Sequence, residues 1–496
     1  MATLTSVFAD FDFVFLPTLA RDEEPREELM ANDLPKLGAD FEIWGHWWLP
    51  AYKSDQVTGC LTSRGGNLQL KLLGQFNAID VNHLHLSVPV IHGVADGKLF
   101  TLWNAIQGSF GFKAPGTIEQ HFQSMRILAG GHLSERSKVR FTALSLYASN
   151  LGPWSNLRPV DYSFSAEDPS DISYRMAKNR STEIVLSNFG MTLKIGTSWS
   201  TRNKEFDSYG FDVLPSLRAE FSSPELFDDV IERLGSLQRI FSLLVGMELV
   251  AEKATVEIDG GRKLDNIFGL LVEHAPPEDE EILPVYKVLA PFPILKDRAS
   301  EIFSHWFDEE SRLKDATDLL IRTIRRTGLP TPIELTSLAQ ALETFHRNIH
   351  GEGFMTAKEY KPIKKAIMDW VSKNMSEELS NSISERIGHA NEHTFQARMR
   401  MLLGKFSDEL LKALGIDRNT FPSAVSKARN EFTHWDAKTS DARSVGADLS
   451  NLVSKLKAFT RLVLLSHLGV SPDTVVKRMT ENMHLYLPEW VKINHS

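Results

Sequence analysis

Near residue 300 the chain changes its hydrophobic period, and that change limits the folds open to it. Before it, short runs of β-forming residues are separated by turn residues; after it, apolar side chains recur every three or four positions. One half therefore reads as sheet and the other as helix, which predicts an α+β chain with the two classes segregated along the sequence.

In the first half, Val57–Leu61 and Leu68–Leu73 flank Ser63-Arg64-Gly65-Gly66-Asn67, an arrangement that predicts a hairpin. Further strands are expected at His83–Val90, Leu99–Trp103, Lys138–Tyr147, Thr182–Leu186 and Met191–Gly196. Ser223 followed by Pro224 reads as an N-cap and first helical position, opening a helix that runs to about Leu249. Residues 1–300 are thus expected to form a β-rich, sandwich- or barrel-like domain with a helical segment near 224–249. The acidic Pro-Pro-Glu-Asp-Glu-Glu stretch between Ala275 and Pro284 reads as a surface loop or hinge.

Past Glu301 three stripes dominate: Leu335, Leu338, Leu342, Phe345, Ile349; Phe395, Met399, Leu402, Phe406, Leu410; and Leu449, Leu452, Leu456, Phe459, Val463. Steps of three and four bury one face of a helix. Residues 301–496 are expected to be an all-α bundle of about five to six helices. At 496 residues and 42% apolar content, the chain can bury cores of both kinds.

Composition also restricts function. The longest apolar stretches, Ile240–Ala251 and Leu462–Val470, fall short of the ~20 residues that span a bilayer, so no membrane partner is expected. Asp10 and Asp12 stand where a signal peptide needs positive charge, and the single Cys60 allows no internal disulfide or thiolate cluster. A cytoplasmic location is expected. The net charge of −9 is unevenly placed: residues after 300 carry 27 Lys and Arg against 25 Asp and Glu, those before it 28 against 39. The split points any polyanion toward the C-terminal part, although a solvated surface on both halves explains charge alone equally well.

The segment from Phe421 to Trp435 carries the chemistry. Phe421, Val425, Ala428, Phe432 and Trp435 share one face of a helix, and Asn430 and His434, four apart, lie on the other. Arg429 sits on the flank between them. Transesterification of RNA by its own 2′-hydroxyl needs a base, an acid and positive charge at phosphorus. Histidine can take either proton role near neutrality, and arginine forks onto phosphate oxygens at any pH. No metal and no cofactor is required. An Arg and a His separated by four to six residues are by themselves weak, since Arg126/His132, Arg298/His305, Arg386/His393, Arg461/His467 and Arg478/His484 also occur. Arg429 is set apart by the Asn that follows it.

Arg429-Asn430-Glu431-Phe432-Thr433-His434 matches the Arg-Asn-x3-His of ribonucleases in the HEPN superfamily, which roughly the last 190 residues resemble. Gly59-Cys-Leu-Thr-Ser63 and Gly66-Asn-Leu-Gln-Leu-Lys-Leu-Leu-Gly74 resemble the opening of ApeA-type N-terminal domains. Leu338-Ala-Gln-Ala-Leu-Glu-Thr-Phe345 and His393-Thr-Phe-Gln-Ala-Arg-Met-Arg400 resemble their helical half. The resemblance implies a single-gene antiphage defence protein. In that reading a HEPN homodimer cleaves host RNA, with tRNA one substrate, through Arg429, Asn430 and His434 as catalytic residues. The β-rich half would sense an unknown phage-derived trigger. The alternative is a non-catalytic HEPN dimer acting as a ligand-binding or scaffold module.

Other clusters are secondary. Glu343, His346 and His350 lie on one flank of a helix; either Glu343 pairs with Arg429 or His346 lines the cleft, and the alternative is ordinary helix surface. His346 and His350 at i, i+4 lack a third metal ligand, as do His83, His85 and His92. Arg398, Arg400 and Lys405, with Lys361, Lys364 and Lys365, are candidate phosphate contacts or a solvated helix face. Trp47 and Trp48 read as core anchors. Phosphate-cradling glycine loops and the Gly-x-Ser-x-Gly nucleophile elbow are absent, which removes the simplest support for nucleotide hydrolysis, hydride transfer and esterase chemistry.

Overall fold

A computed structural model describes residues 34–35, 37–79, 85–113, 116–123, 125–158, 160–164, 172–176, 181–204, 208–268, 282–325, 329–433 and 446–487. Residues 35–496 form one compact unit.

The β-rich half begins with six strands: β1 (Phe41–Trp48), β2 (Val57–Arg64), β3 (Asn67–Leu73), β4 (Ser87–Ala95), β5 (Lys98–Lys113) and β6 (Thr117–Gln123). They pair in the ring β5-β4-β1-β2-β3-β6-β5, so the sheet closes on itself as a barrel and its edges disappear. The β2–β3 turn is Gly65-Gly66, both at positive φ, which suits the mirror-image turn that joins twisted strands. Alternation along β3 puts Leu68, Leu70 and Leu72 inside, where they join Trp47, Leu61, Phe76, Phe100 and Phe122. Trp47 is an anchor of this core, its indole N–H donating to the Gly59 carbonyl at 3.1 Å. Trp48 is buried as well, edge-on to His132.

Strand β5 is long enough to leave the barrel and pair with β7 (Arg126–Ala129), from which a second run of strands continues. Its order is β7-β15-β14-β8-β13-β12-β11, built from β8 (Arg140–Tyr147), β11 (Ser181–Leu186), β12 (Met191–Lys204), β13 (Ser208–Leu226), β14 (Lys253–Ile258) and β15 (Arg262–Phe268). A separate hairpin pairs β9 (Val160–Phe164) with β10 (Ile172–Met176), beyond the short helix α1 (Leu151–Ser155).

Helix α2 (Phe227–Val245) packs on β8 and β13 of this second sheet, where Phe227 meets Phe141, and buries Val230, Leu234 and Leu237. The helix expected from Ser223-Pro224 starts later, because those residues remain extended as the end of β13. It also stops earlier, at Gly246, whose φ of 90° takes the left-handed conformation that ends a helix. The acidic stretch at residues 276–281 lies outside the described residues.

After α3 (Phe292–Leu295), the helical half follows as α4 (Ala299–Ile324), α5 (Thr331–His350), α6 (Ala357–Asn374), α7 (Glu377–Gly388), α8 (Phe395–Leu403), α9 (Asp408–Ala413), α10 (Phe421–Thr433), α11 (Ala447–His467), α12 (Pro472–Glu481) and α13 (Met483–Tyr486). There are more helices than the stripes predict. The Phe395–Leu410 stripe belongs to two of them, since α8 ends before Gly404 and Ser407 caps a fresh start by accepting from the Leu410 N–H. Helix α5 is central and packs against α4, α8, α10 and α11. Among the described residues no helix is long and apolar enough to cross a membrane.

Helix α4 joins the two halves. Its Trp306 indole donates to Ser236 of α2 at 2.8 Å, and Phe303 contacts Trp154 and Phe241 in a buried aromatic cluster. Arg239 of α2 pairs with Asp318 at 2.7 Å and with Glu310 at 3.4 Å.

Candidate functional site

Helix α10 buries Phe421, Val425 and Ala428 and leaves Asn430 exposed, the two-faced arrangement its spacing dictates. Arg429 lies at the boundary, with a quarter of its side chain exposed. Its guanidinium is held from two sides. Glu343 of α5 forms an ion pair with it at 2.8 Å, and the Phe395 ring of α8 lies beneath it, 4.9 Å from centroid to guanidinium carbon. His434 and Trp435 lie outside the described residues.

Glu343 serves two cations. One carboxylate oxygen faces Arg429, and the other is 3.7 Å from Arg347, which also reaches Glu352 at 3.3 Å and Glu392 at 3.7 Å. The partly buried carboxylate thus sits between two guanidiniums and holds Arg429 by charge. Lys427 and Glu431 form a longer i, i+4 contact on α10 at 3.8 Å.

His346, one turn past Glu343 on α5, is buried and accepts a hydrogen bond at Nδ1 from Arg398 at 3.1 Å. Burial first, then the charges of His350 and Arg398, push its pKa down to about 4. It is therefore a neutral imidazole packed inside the bundle. His350 at the end of α5 is exposed and meets the Lys405 ammonium at 2.7 Å. That ammonium is the donor, so the ring is the acceptor; partial desolvation where the two meet, and for His350 the nearby Lys405 charge, hold both pKa values below their ordinary ranges.

The three candidate phosphate contacts separate. Arg400 is exposed on α8 and Lys405 is at the surface beside His350. Arg398 corrects the sequence reading: it is 1% exposed, and its guanidinium donates to the carbonyls of His393 (3.0 Å), Gly351 (3.2 Å) and Glu352 (3.0 Å) as well as to His346. It braces the turn after α5 against α8 and presents nothing to a surface ligand. Lys361, Lys364 and Lys365 lie on α6, in a helical hairpin with α7 whose apolar Ile363, Ile367 and Trp370 are exposed.

The family described as ApeA N-terminal domain 1 matches residues 42–306, more than half the chain, and the Apea-like HEPN family matches residues 336–474. The chain belongs to the ApeA family. Its helical half is an ApeA-like HEPN domain, and the family is one of antiphage HEPN effectors. The HEPN match holds α5, α8, α10 and α11, hence Glu343, Phe395 and Arg429 together. Nothing matches the chain among curated proteins or among solved structures.

One group escaped the sequence reading. His305 and Glu309 of α4 meet His467, the last residue of α11. The first two are visible as an i, i+4 pair, but His467 is 158 residues beyond Glu309 and only the bundle brings it near.

Proposed function

We propose that the chain is a metal-independent endoribonuclease of an antiphage defence system, cleaving host RNA, with tRNA one substrate, as a cytoplasmic homodimer through its HEPN domain. The reading rests on Arg429: a guanidinium held by Glu343 and Phe395, still partly exposed, beside exposed Asn430 and five residues before His434 in the sequence.

In this mechanism the 2′-oxygen of RNA attacks the adjacent phosphorus as a base removes its proton. The bond from phosphorus to the 5′-oxygen breaks as an acid protonates the leaving oxygen, giving a 2′,3′-cyclic phosphate and a 5′-hydroxyl. His434 from the two copies of a symmetric dimer would supply base and acid. Arg429 would stabilise charge on the pentacoordinate phosphorane, where a fixed cation lowers the barrier most. Asn430 would orient the imidazole or donate to phosphate. Glu343 is a positioning residue and also a competitor, because RNA must share the guanidinium with its carboxylate. Residues 1–300 would sense a phage-derived trigger and residues 301–496 would cut. Arg400 and Lys405 remain proposed phosphate contacts.

A second reading is favoured by that same ion pair. If Arg429 never leaves Glu343, the protein is a non-catalytic HEPN dimer serving as a ligand-binding or scaffold module. The double variant Arg429→Ala/His434→Ala separates the two. The nuclease reading expects it to be folded and dimeric but without toxicity or phage protection. Full protection by the variant would establish the scaffold.

A further inference from the structure

We propose that His305, Glu309 and His467 form a binding site for one divalent transition-metal ion, with zinc the best match to the ligand set. Two imidazoles and one carboxylate with a fourth position open to solvent are a common zinc coordination set.

The convergence is specific in its atoms. Nε2 of His467 lies 2.6 Å from Oε2 of Glu309, and Nε2 of His305 lies 3.8 Å from the same oxygen. The three ligand atoms all fall within 4.8 Å of one another. A carboxylate that needed only a salt bridge would be satisfied by one histidine; here a second imidazole is brought in, its ring 5.0 Å from the first. Tetrahedral ligands about 2.0–2.2 Å from zinc are about 3.3–3.5 Å apart. The ion therefore fits if His467 withdraws slightly and His305 closes in by small side-chain adjustments, the ion then standing where Glu309 and His467 now meet directly.

The surroundings hold the ligands in place. The other Glu309 oxygen accepts from Arg312 at 2.7 Å, and Arg312 is itself fixed on the carbonyls of Asn348 and Ile349 in the last turn of α5. Glu309 is thereby left to bind through Oε2 alone. Phe345 packs edge-to-face on the His467 ring at 5.2 Å and limits its rotation. Outer partners that orient a ligand in this way are a regular part of metal sites. The His305 side chain is 39% exposed, which provides the entry path. The ion would tie α4 to α11 beside the last turn of α5, the helix that also carries Glu343 and His346.

The test uses the full chain, stripped with chelator, dialysed to remove it, and titrated with zinc against a chromogenic competitor. One zinc per chain is expected, with a rise in melting temperature. His467→Ala should weaken binding at least ~100-fold, as should the isosteric Glu309→Gln, which keeps the packing, whereas the surface variant His389→Ala should bind as wild type does. Cobalt(II) should give the visible bands of a tetrahedral ion in the wild type and lose them in Glu309→Gln. Failure of the wild type to retain zinc would overturn the proposal, as would equal retention by Glu309→Gln and His305→Gln. The ribonuclease reading needs no ion, so cleavage that persists without zinc leaves each conclusion standing or falling separately.

Discussion

Arg429 and Arg398 show how similar residues on neighbouring helices acquire opposite roles. Each stands at the edge of an apolar stripe, where a helix period allows either a solvent-facing or an inward guanidinium. Arg429 keeps a quarter of its surface because Glu343 and Phe395 hold it at the rim. Arg398 turns inward because the turn after α5 offers it carbonyls, and that turn comes from 46 residues earlier in the chain. The sequence offered the Arg429–Glu343 pairing only as one option beside ordinary helix surface, and the Arg398 environment not at all, since periodicity does not report which helices pack or where an unrelated loop returns. His346 gives a measurable consequence. Its folded pKa of about 4 lies below the ordinary 6.5, so on acidification the unfolded imidazole takes a proton that the buried one refuses. Its contribution is fully present above about pH 6.5 and is lost as pH falls to about 4, a change of about 3 kcal/mol. Denaturant titrations across that range should show stability falling with pH more steeply in the wild type than in His346→Gln, whose amide can still accept from Arg398. Equal slopes would exclude His346 as the source.

Among the elements, the strands and helices with strong period were legible, and their boundaries and breaks were not. The β2–β3 hairpin followed from Gly65-Gly66 between two apolar runs. Strand β13 was invisible as a single strand because its 19 residues include Pro215 and Pro224 and a register shift between Glu220 and Glu225. The closure of β6 onto both β3 and β5 depends on pairing between distant strands, which no local pattern encodes. The end of α2 depends on one residue. A Cβ on Gly246 would lie 2.7 Å from the Tyr486 hydroxyl and 2.8 Å from Leu289, at a φ that side-chain-bearing residues rarely adopt. Gly246→Ala should therefore destabilise the fold by about 2–4 kcal/mol, measured by chemical denaturation. An unchanged midpoint would show that the turn relaxes freely.

At the scale of the molecule, barrel, second sheet and HEPN bundle are coupled through α2 and α4. Arg461 of α11 is buried, donates to the Gly246 carbonyl at 3.1 Å and lies over Tyr486; burial lowers its pKa to about 10. With Trp306 on Ser236 and Arg239 on Asp318, these contacts join the two halves through a largely buried seam with a partly exposed ion pair at its rim. Calorimetry should accordingly show one principal transition for both halves, and Trp306→Ala should lower it by about 3–5 kcal/mol of stability. Two separate transitions, only one of them shifted by that variant, would mean that the halves fold independently. The most direct measurement is the chemistry of the RNA ends left by the purified wild-type protein in excess EDTA, compared with Arg429→Ala. The account predicts 2′,3′-cyclic phosphate and 5′-hydroxyl ends from the wild type and intact RNA from the variant. Ends bearing 5′-phosphate and 3′-hydroxyl, or cleavage undiminished in Arg429→Ala, would contradict it.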